Sequence, residues 1–181
     1  MALIVETGVG LSTAESYISV AEFLAYAYKN YAVTDPVATD AIEQALRRAT
    51  RFIDGAYRKH FLGYRTQAYN QALEWPRAWV VRPWPGASGY NQGYYSQAGD
   101  VLANNVIPQS LKEATAEAAI RELASPGSLT PDRVPSEQIL QETVGPITTV
   151  FANVSDSRPI VTLIDEILAP LMTQSGIAVR A

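Results

Sequence analysis

Apolar positions recur with helical spacing in four stretches of the chain. The first opens at Ser19-Val-Ala-Glu22, the S-x-x-E spacing of a capping box, and Val20, Phe23, Leu24, Ala27 and Tyr28 follow at helical intervals. A helix from about Val20 to Asn30 is predicted. Thr34, Asp35 and Pro36 interrupt the pattern, after which Ile42, Ala45, Leu46, Ala49, Phe52, Ile53, Ala56 and Tyr57 define the most regular apolar stripe in the chain. The third stretch runs from Gln109 to Leu123, with Pro108 near its first turn and Pro126-Gly127 beyond its end, and its alanines suit close helix packing. In the fourth, Ser157 is placed to cap a helix starting near Pro159. Ile160, Leu163, Ile164, Ile167, Leu168 and Leu171 fall on its buried side, and Pro170 distorts or ends it.

Elsewhere the period changes or vanishes. Residues 2–5, Ala-Leu-Ile-Val, are a short apolar run before Gly8 and Gly10 that suits either an edge strand or an arm. Ile139 to Val144 and Ile147 to Phe151 flank Gly145-Pro146, and either pair as a β-hairpin or run as one bent strand. From His60 to about Asn105 glycine, proline and aromatic residues replace the apolar period, and all three tryptophans, Trp75, Trp79 and Trp84, fall there. A stretch of this length without regular structure is uncommon inside a compact domain and is more often functional or interface-forming. The fold class that follows is mainly α: a bundle of about four helices with a small β element and a long irregular Tyr/Gly/Pro-rich loop at about 61–106. There is no internal repeat, and residues 1–181 read as one domain with an extended N-terminal arm and C-terminal tail.

Composition narrows the chemistry. The 181 residues are 48 % hydrophobic, enough for one domain with a core, and they include no cysteine and one histidine. Thiolate zinc sites, cysteine nucleophiles, disulfides and multi-histidine metal sites are thereby excluded, and a reducing, cytosolic setting is expected. No run of 18 apolar residues occurs, and the first residues lack the charge pattern of a signal peptide, so no membrane partner is expected. The net charge of −4 averages two unlike parts. Between Gln44 and Arg82 eight basic residues face two acids, a net +6, whereas the rest carries six basic and sixteen acidic groups, a net −10. Arginine outnumbers lysine 11 to 3, a skew toward bidentate and stacked contacts.

Candidate catalytic groups are few. His60 sits beside Arg58 and Lys59 at the expected end of the second helix, where cations complement the negative end of the helix dipole. The pairs Asp35/Asp40 and Asp165/Glu166 suit capping or a solvated helix face, and Gly8-Val-Gly10 lacks the lysine and the strand-to-helix setting of a phosphate loop. No catalytic residue, metal or cofactor is expected, and an enzyme is disfavoured. The second helix is more informative: Arg47, Arg48 and Arg51 project from its polar face with Arg58 further along, without the alternating glutamates of an i,i+4 ion-pair lattice. Such a face fits a nucleic-acid backbone or an acidic protein surface. In the Tyr/Gly loop, Trp84, Tyr90, Tyr94 and Tyr95 are of the residue types enriched at interfaces. They also suit stacking on single-stranded DNA, although no cation lies between Trp84 and Val106 to hold phosphates.

Seven short segments occur in a familiar order: Ala2-Leu-Ile-Val-Glu-Thr-Gly8, Ala14-Glu-Ser-Tyr-Ile18, Ala45-Leu-Arg-Arg-Ala-Thr50 followed by Phe52-Ile-Asp54, Leu73-Glu-Trp-Pro-Arg77, Ile107-Pro-Gln-Ser-Leu-Lys-Glu-Ala-Thr115, Val144-Gly-Pro-Ile147 and Leu168-Ala-Pro-Leu171. The series resembles the small head–tail connector (adaptor, or head-completion) proteins of tailed bacteriophages, a group whose related sequences are often labelled DnaT-like single-stranded-DNA-binding proteins. The resemblance implies a virion protein of the neck, made in the host cytoplasm. It would form a homo-oligomeric ring, typically of twelve subunits, beneath the portal protein, extend the channel through which phage DNA passes, and offer a platform to a tail or tail-completion protein. It supplies no catalytic residues. Residues 82–105 depart from the group in length and in Tyr and Gly content. A +6 segment facing a −10 remainder suits the head-to-tail contacts of a ring, with Arg47, Arg48 and Arg51 at a subunit interface or in the channel. The alternative is a DnaT-like replication accessory that binds single-stranded DNA through the same arginines with Tyr90, Tyr94 and Tyr95.

Overall fold

The computed structural model describes residues 2–31, 37–81, 101–130, 141–144, 147–150 and 161–173. Helix α1 (Val20–Asn30) begins where the capping box places it. The Ser19 hydroxyl accepts the Glu22 N–H at 3.2 Å, and the Glu22 carboxylate accepts the Ser19 N–H at 2.8 Å. Helix α2 (Thr39–Tyr57) buries Ile42, Ala45, Leu46, Ala49, Phe52, Ile53 and Tyr57, which is the predicted stripe with Ala56 at its half-buried margin. Nineteen residues make it about 28 Å long.

Helix α3 (Gln109–Ala124) follows Pro108 as expected and packs mainly on α2, with α4 and α1 against its other sides. Enclosure by three neighbours explains why it buries Ala114, Ala116, Ala118 and Ala119 together with Thr115, Glu117 and Glu122 instead of one stripe. Small side chains let the neighbouring helices approach, and the buried polar groups each find a partner. Thr115 donates back to the Leu111 carbonyl, and Glu117 accepts the hydroxyls of Tyr26 in α1 at 2.8 Å and of Tyr31, just past its end, at 2.6 Å. The Tyr31 hydroxyl, bound to that carboxylate and partly desolvated, is pushed up to about 12.

Helix α4 (Thr162–Leu168) starts later than the Pro159 position anticipated and passes at Pro170 into a 3-10 turn (Ala169–Leu171). Ile164, Leu168 and Leu171 are buried. Leu163, expected on the buried side, is 41 % exposed, because a helix of two turns packs only one narrow stripe on α3. Ser157 and Ile160 lie outside the described residues.

Of the two readings open for the late β segment, the hairpin is the one realised. Strands β3 (Gln141–Val144) and β4 (Ile147–Val150) pair antiparallel, with Val144 opposite Ile147. The N-terminal run is no free arm: Val5 bridges Ser16 in parallel, and Glu15 donates to the Ile4 carbonyl at 2.7 Å. Nor is the central region irregular throughout. Residues 61–81 fold into the core around strands β1 (Tyr64–Arg65) and β2 (Arg77–Ala78), with Tyr64 opposite Ala78 and Arg65 opposite Arg77.

Candidate nucleic-acid interface

The arginines of α2 divide into two groups. Arg47 donates from Nε to Glu15 at 3.0 Å and also faces Glu43 at 3.4 Å, one helical turn earlier. That glutamate corrects the reading of the basic face as lacking i,i+4 partners. The Ile4 N–H, followed by the Arg47 guanidinium, holds the Glu15 carboxyl below its ordinary value. Arg48 meets Glu122 of α3 at 2.7 Å, and the Glu122 side chain is only 2 % exposed. Both arginines thus join parts of the same subunit.

Arg51 and Arg58 point away from that arrangement. Arg51 is exposed and has no ion-pair partner among the described residues. Arg58 spends one donor on the Asp54 carbonyl at 3.3 Å, in the last turn of α2, and stands 3.7 Å from Glu74, yet its side chain stays 57 % exposed. Residues 51, 55 and 58 recur at helical spacing on one face. Nothing lies within 4 Å of where a Cβ on Gly55 would stand, so this face is open. Lys59 and His60 continue it as exposed residues of the following turn.

Beneath this surface lies a buried polar cluster. The fully buried Tyr17 hydroxyl donates to Asp54 at 2.5 Å and accepts the N–H groups of Glu74 at 3.1 Å and Trp75 at 3.2 Å. Asp54 also accepts the Glu74 N–H at 3.1 Å. Burial pushes the Asp54 carboxyl up to about 7, against the Tyr17 and Glu74 hydrogen bonds that favour its ionised form. Arg77 is buried next to it. Its guanidinium donates to the carbonyls of Leu62 at 2.8 Å and Gly63 at 2.7 Å, meets Glu74 at 3.0 Å and lies over the Phe61 ring. Trp75 is fully buried edge-on to Phe61, is followed by a cis proline and plugs the core.

This clamp presents three aromatic side chains to solvent: Tyr64 at 57 %, Tyr69 at 98 % and Trp79 at 69 % exposure. Tyr64 and Tyr69 follow exposed Arg58 and Lys59 along the chain, and residues 55 to 73 contain no acid at all. The glycine segment near the N-terminus is different. Glu6 is buried, and its carboxylate accepts the N–H groups of Gly8 and Gly10, each at 2.9 Å, and of Leu11 at 2.8 Å. These three donors hold a carboxylate of the same chain and are not offered to a phosphate. Among the described residues no cluster of three His, Cys, Asp or Glu is placed to hold a metal ion, and no helix is long and apolar enough to cross a membrane.

The whole chain, residues 1–181, matches the family model described as "Putative DnaT-like ssDNA binding protein". The chain belongs to this DnaT-like family. No curated protein and no solved structure matches it. The DnaT-like chain carries exposed cations and aromatics at the end of α2 and around the β1–β2 ribbon, and a second exposed set, Tyr28, Lys29 and Tyr31, at the end of α1. Trp84, Tyr90, Tyr94 and Tyr95, to which sequence reasoning gave the aromatic role, lie outside the described residues, as does Arg82. The exposed tyrosines and Trp79 escaped that reasoning for a physical reason. Strand alternation would put Arg77 and Trp79 on the same side, but Trp79 has a φ of 59°, and this left-handed residue sends the indole outward while Val80 turns in. The one available signal was the acid-free run itself.

Proposed function

We propose that this protein binds single-stranded DNA weakly and without sequence preference, through the open end of α2 and the adjoining ribbon. One observation carries the reading: Arg58, Lys59, Tyr64 and Tyr69 are all exposed on a segment free of acids from 55 to 73, with exposed Arg51 one helical turn before Gly55 and exposed Trp79 just past the strand that pairs with Tyr64. Cations that track phosphates next to aromatic faces that accept bases are the two parts such binding needs. The family description points the same way. Arg47 and Arg48 have no part in it, since their charges are matched within the subunit.

Three available cations set the expected strength. With about 0.7 counterions released per phosphate contact on a single strand, the slope of log K against log salt is about −2. Anisotropy of a labelled oligothymidine across a salt series measures it. Arg51→Ala and Lys59→Ala each lower affinity and flatten the slope by about 0.7, and undetectable binding at low ionic strength refutes the proposal.

A second reading is a head–tail connector ring that contacts portal protein, a tail-completion protein and passing phage DNA. It is favoured by the net charge of −4 and by the internal use of Arg47 and Arg48, both suited to a channel wall that lets DNA slide. Electron microscopy of the protein mixed with a portal ring tests it: a chain that stays monomeric and leaves the portal bare excludes this reading.

A further inference from the structure

The Trp79 backbone and the Trp79 side chain are both in unfavourable situations. A φ of 59° is rare for a bulky residue, and the indole, the largest apolar side chain there is, stands 69 % exposed. Neither can persist unless the surroundings hold it, and residues so held cluster at functional positions. The surroundings here are rigid on both sides. Before Trp79, the Arg77 fork grips the Leu62 and Gly63 carbonyls, and Thr66 donates to the Pro76 carbonyl from its N–H at 3.2 Å. After it, Val80 is buried and its carbonyl accepts the Leu102 N–H at 2.9 Å. Across the ribbon Gly63, at φ +68°, permits the close approach: a Cβ there would stand 2.1 Å from the Ala78 oxygen and 3.1 Å from the Trp79 carbonyl carbon.

We propose that Trp79, with Tyr64 opposite its neighbour Ala78, is a rigid platform on which an unpaired nucleobase stacks. The proposal rests on the single-strand reading above and assigns the base-contacting groups within it. An indole presented by a fixed ribbon loses little freedom on binding, and every base offers a π-face to it. The setting selects a nucleic acid over an apolar protein partner. Arg58 and Lys59 are exposed six and five residues before Tyr64, no acid occurs between 55 and 73, and Arg65, on the same strand as Tyr64, is tied to the Gln71 carbonyl and so keeps the ribbon in shape.

Two oligonucleotides of equal length, one oligothymidine and one abasic, separate bases from phosphates. At low ionic strength the wild-type protein is expected to bind oligothymidine on the order of 10-fold more tightly than the abasic strand. Trp79→Ala removes that preference and leaves abasic affinity unchanged, while Trp79→Phe keeps most of it. Trp79→Gly suits the left-handed backbone, so it folds and still loses the preference, which answers the objection that the alanine variant is merely misfolded. Equal wild-type affinity for the two strands overturns the platform and leaves phosphate-driven binding standing. Absence of binding to both overturns the platform and the single-strand reading together. If Trp79→Ala instead shifts only the sedimentation of the protein without DNA, the indole belongs to a contact with a second copy and the proposal falls.

Discussion

Arg48 and Arg51 lie one turn apart on α2, and their substitutions to alanine are expected to separate stability from binding. Arg48 Nε lies 2.7 Å from a Glu122 carboxylate whose side chain is 2 % exposed. Removing the guanidinium leaves that carboxylate with the Gly127 N–H at 2.9 Å and the Leu129 N–H at 3.3 Å. Stranding one charge of a fully buried pair costs about 3–5 kcal/mol. Arg48 is itself 38 % exposed, so solvent already screens the pair, and two N–H groups stay with the carboxylate. A loss of about 2 kcal/mol is the resulting expectation, or a shift of about 1 M in urea midpoint at an m-value of about 2 kcal/mol/M. Arg51→Ala, on an exposed helix face, changes stability by less than about 0.5 kcal/mol. Urea titrations followed by circular dichroism decide the matter. Equal midpoints for the two variants would refute the assignment of Arg48 to the subunit interior and return it to the binding surface.

The same pair has a pH signature. Burial alone would raise the Glu122 carboxyl, but the Gly127 N–H, Arg48 and the Leu129 N–H together hold it below its ordinary value. A carboxyl lowered in the native state contributes stability above its unfolded pKa, and that contribution is lost as pH falls through the native one. Without Arg48 the carboxylate has more to gain from protonation. The gap between wild type and Arg48→Ala therefore narrows in acid. A gap that stays constant from neutral pH into the acid range would show that the lost stability came from packing and not from charge.

Asp54 gives the opposite slope: raised from 3.8 to about 7, it holds a proton in the native state that the unfolded chain has released. Stability therefore increases as pH is lowered from about 7 toward 5, by at most about 1.4 kcal/mol per unit, and thermal melts of wild type and Asp54→Asn check that the substitution flattens the slope. Tyr17→Phe strands the buried Trp75 N–H and takes a donor from Asp54, while the Glu74 N–H keeps Asp54 as its acceptor, and it is expected to lower the unfolding free energy by about 1–3 kcal/mol in urea. Gly8→Ala places a Cβ 2.0 Å from the Asn105 oxygen at a φ of +100°, so a loss above about 2 kcal/mol is expected in the same assay. Arg77→Lys keeps a charge near Glu74 but loses the fork to Leu62 and Gly63. It should cost about 2 kcal/mol and weaken oligothymidine binding more than abasic binding.

Local signals carried the helices: the Ser19–Glu22 box set the start of α1, and the apolar stripe from Ile42 to Tyr57 set the buried face of α2. Residues 61–81 were unreadable by periodicity because their order comes from polar contacts across long separations, Tyr17 to Asp54 to the Glu74 N–H and Arg77 to the Leu62 carbonyl. Such contacts leave no repeat in a sequence. Three of the seven segments that carry the resemblance converge on this cluster: Tyr17 from Ala14–Ile18, Asp54 from Phe52–Asp54, and Glu74, Trp75 and Arg77 from Leu73–Arg77. They shape the scaffold, and the exposed groups lie on what it presents. The roles of individual arginines were equally hidden, since Glu15 and Glu122 lie 32 and 74 residues away from Arg47 and Arg48.

The uneven charge of the chain takes on a different meaning in three dimensions. A basic segment of +6 and a remainder of −10 invite the idea that they meet between subunits, yet two ion pairs between them, Arg47 with Glu15 and Arg48 with Glu122, lie within one subunit. Charge matched in this way holds the fold together and is withdrawn from partners. What is left exposed of the basic segment among the described residues is concentrated toward the end of α2, where Arg51, Arg58 and Lys59 precede the exposed Tyr64 and Tyr69. Three cations suffice to hold a strand loosely, and too few to hold it against physiological salt without help from stacking. On the proposed single-strand reading, affinity then depends on Trp79 as much as on the arginines, and so does any preference for bases over bare phosphates.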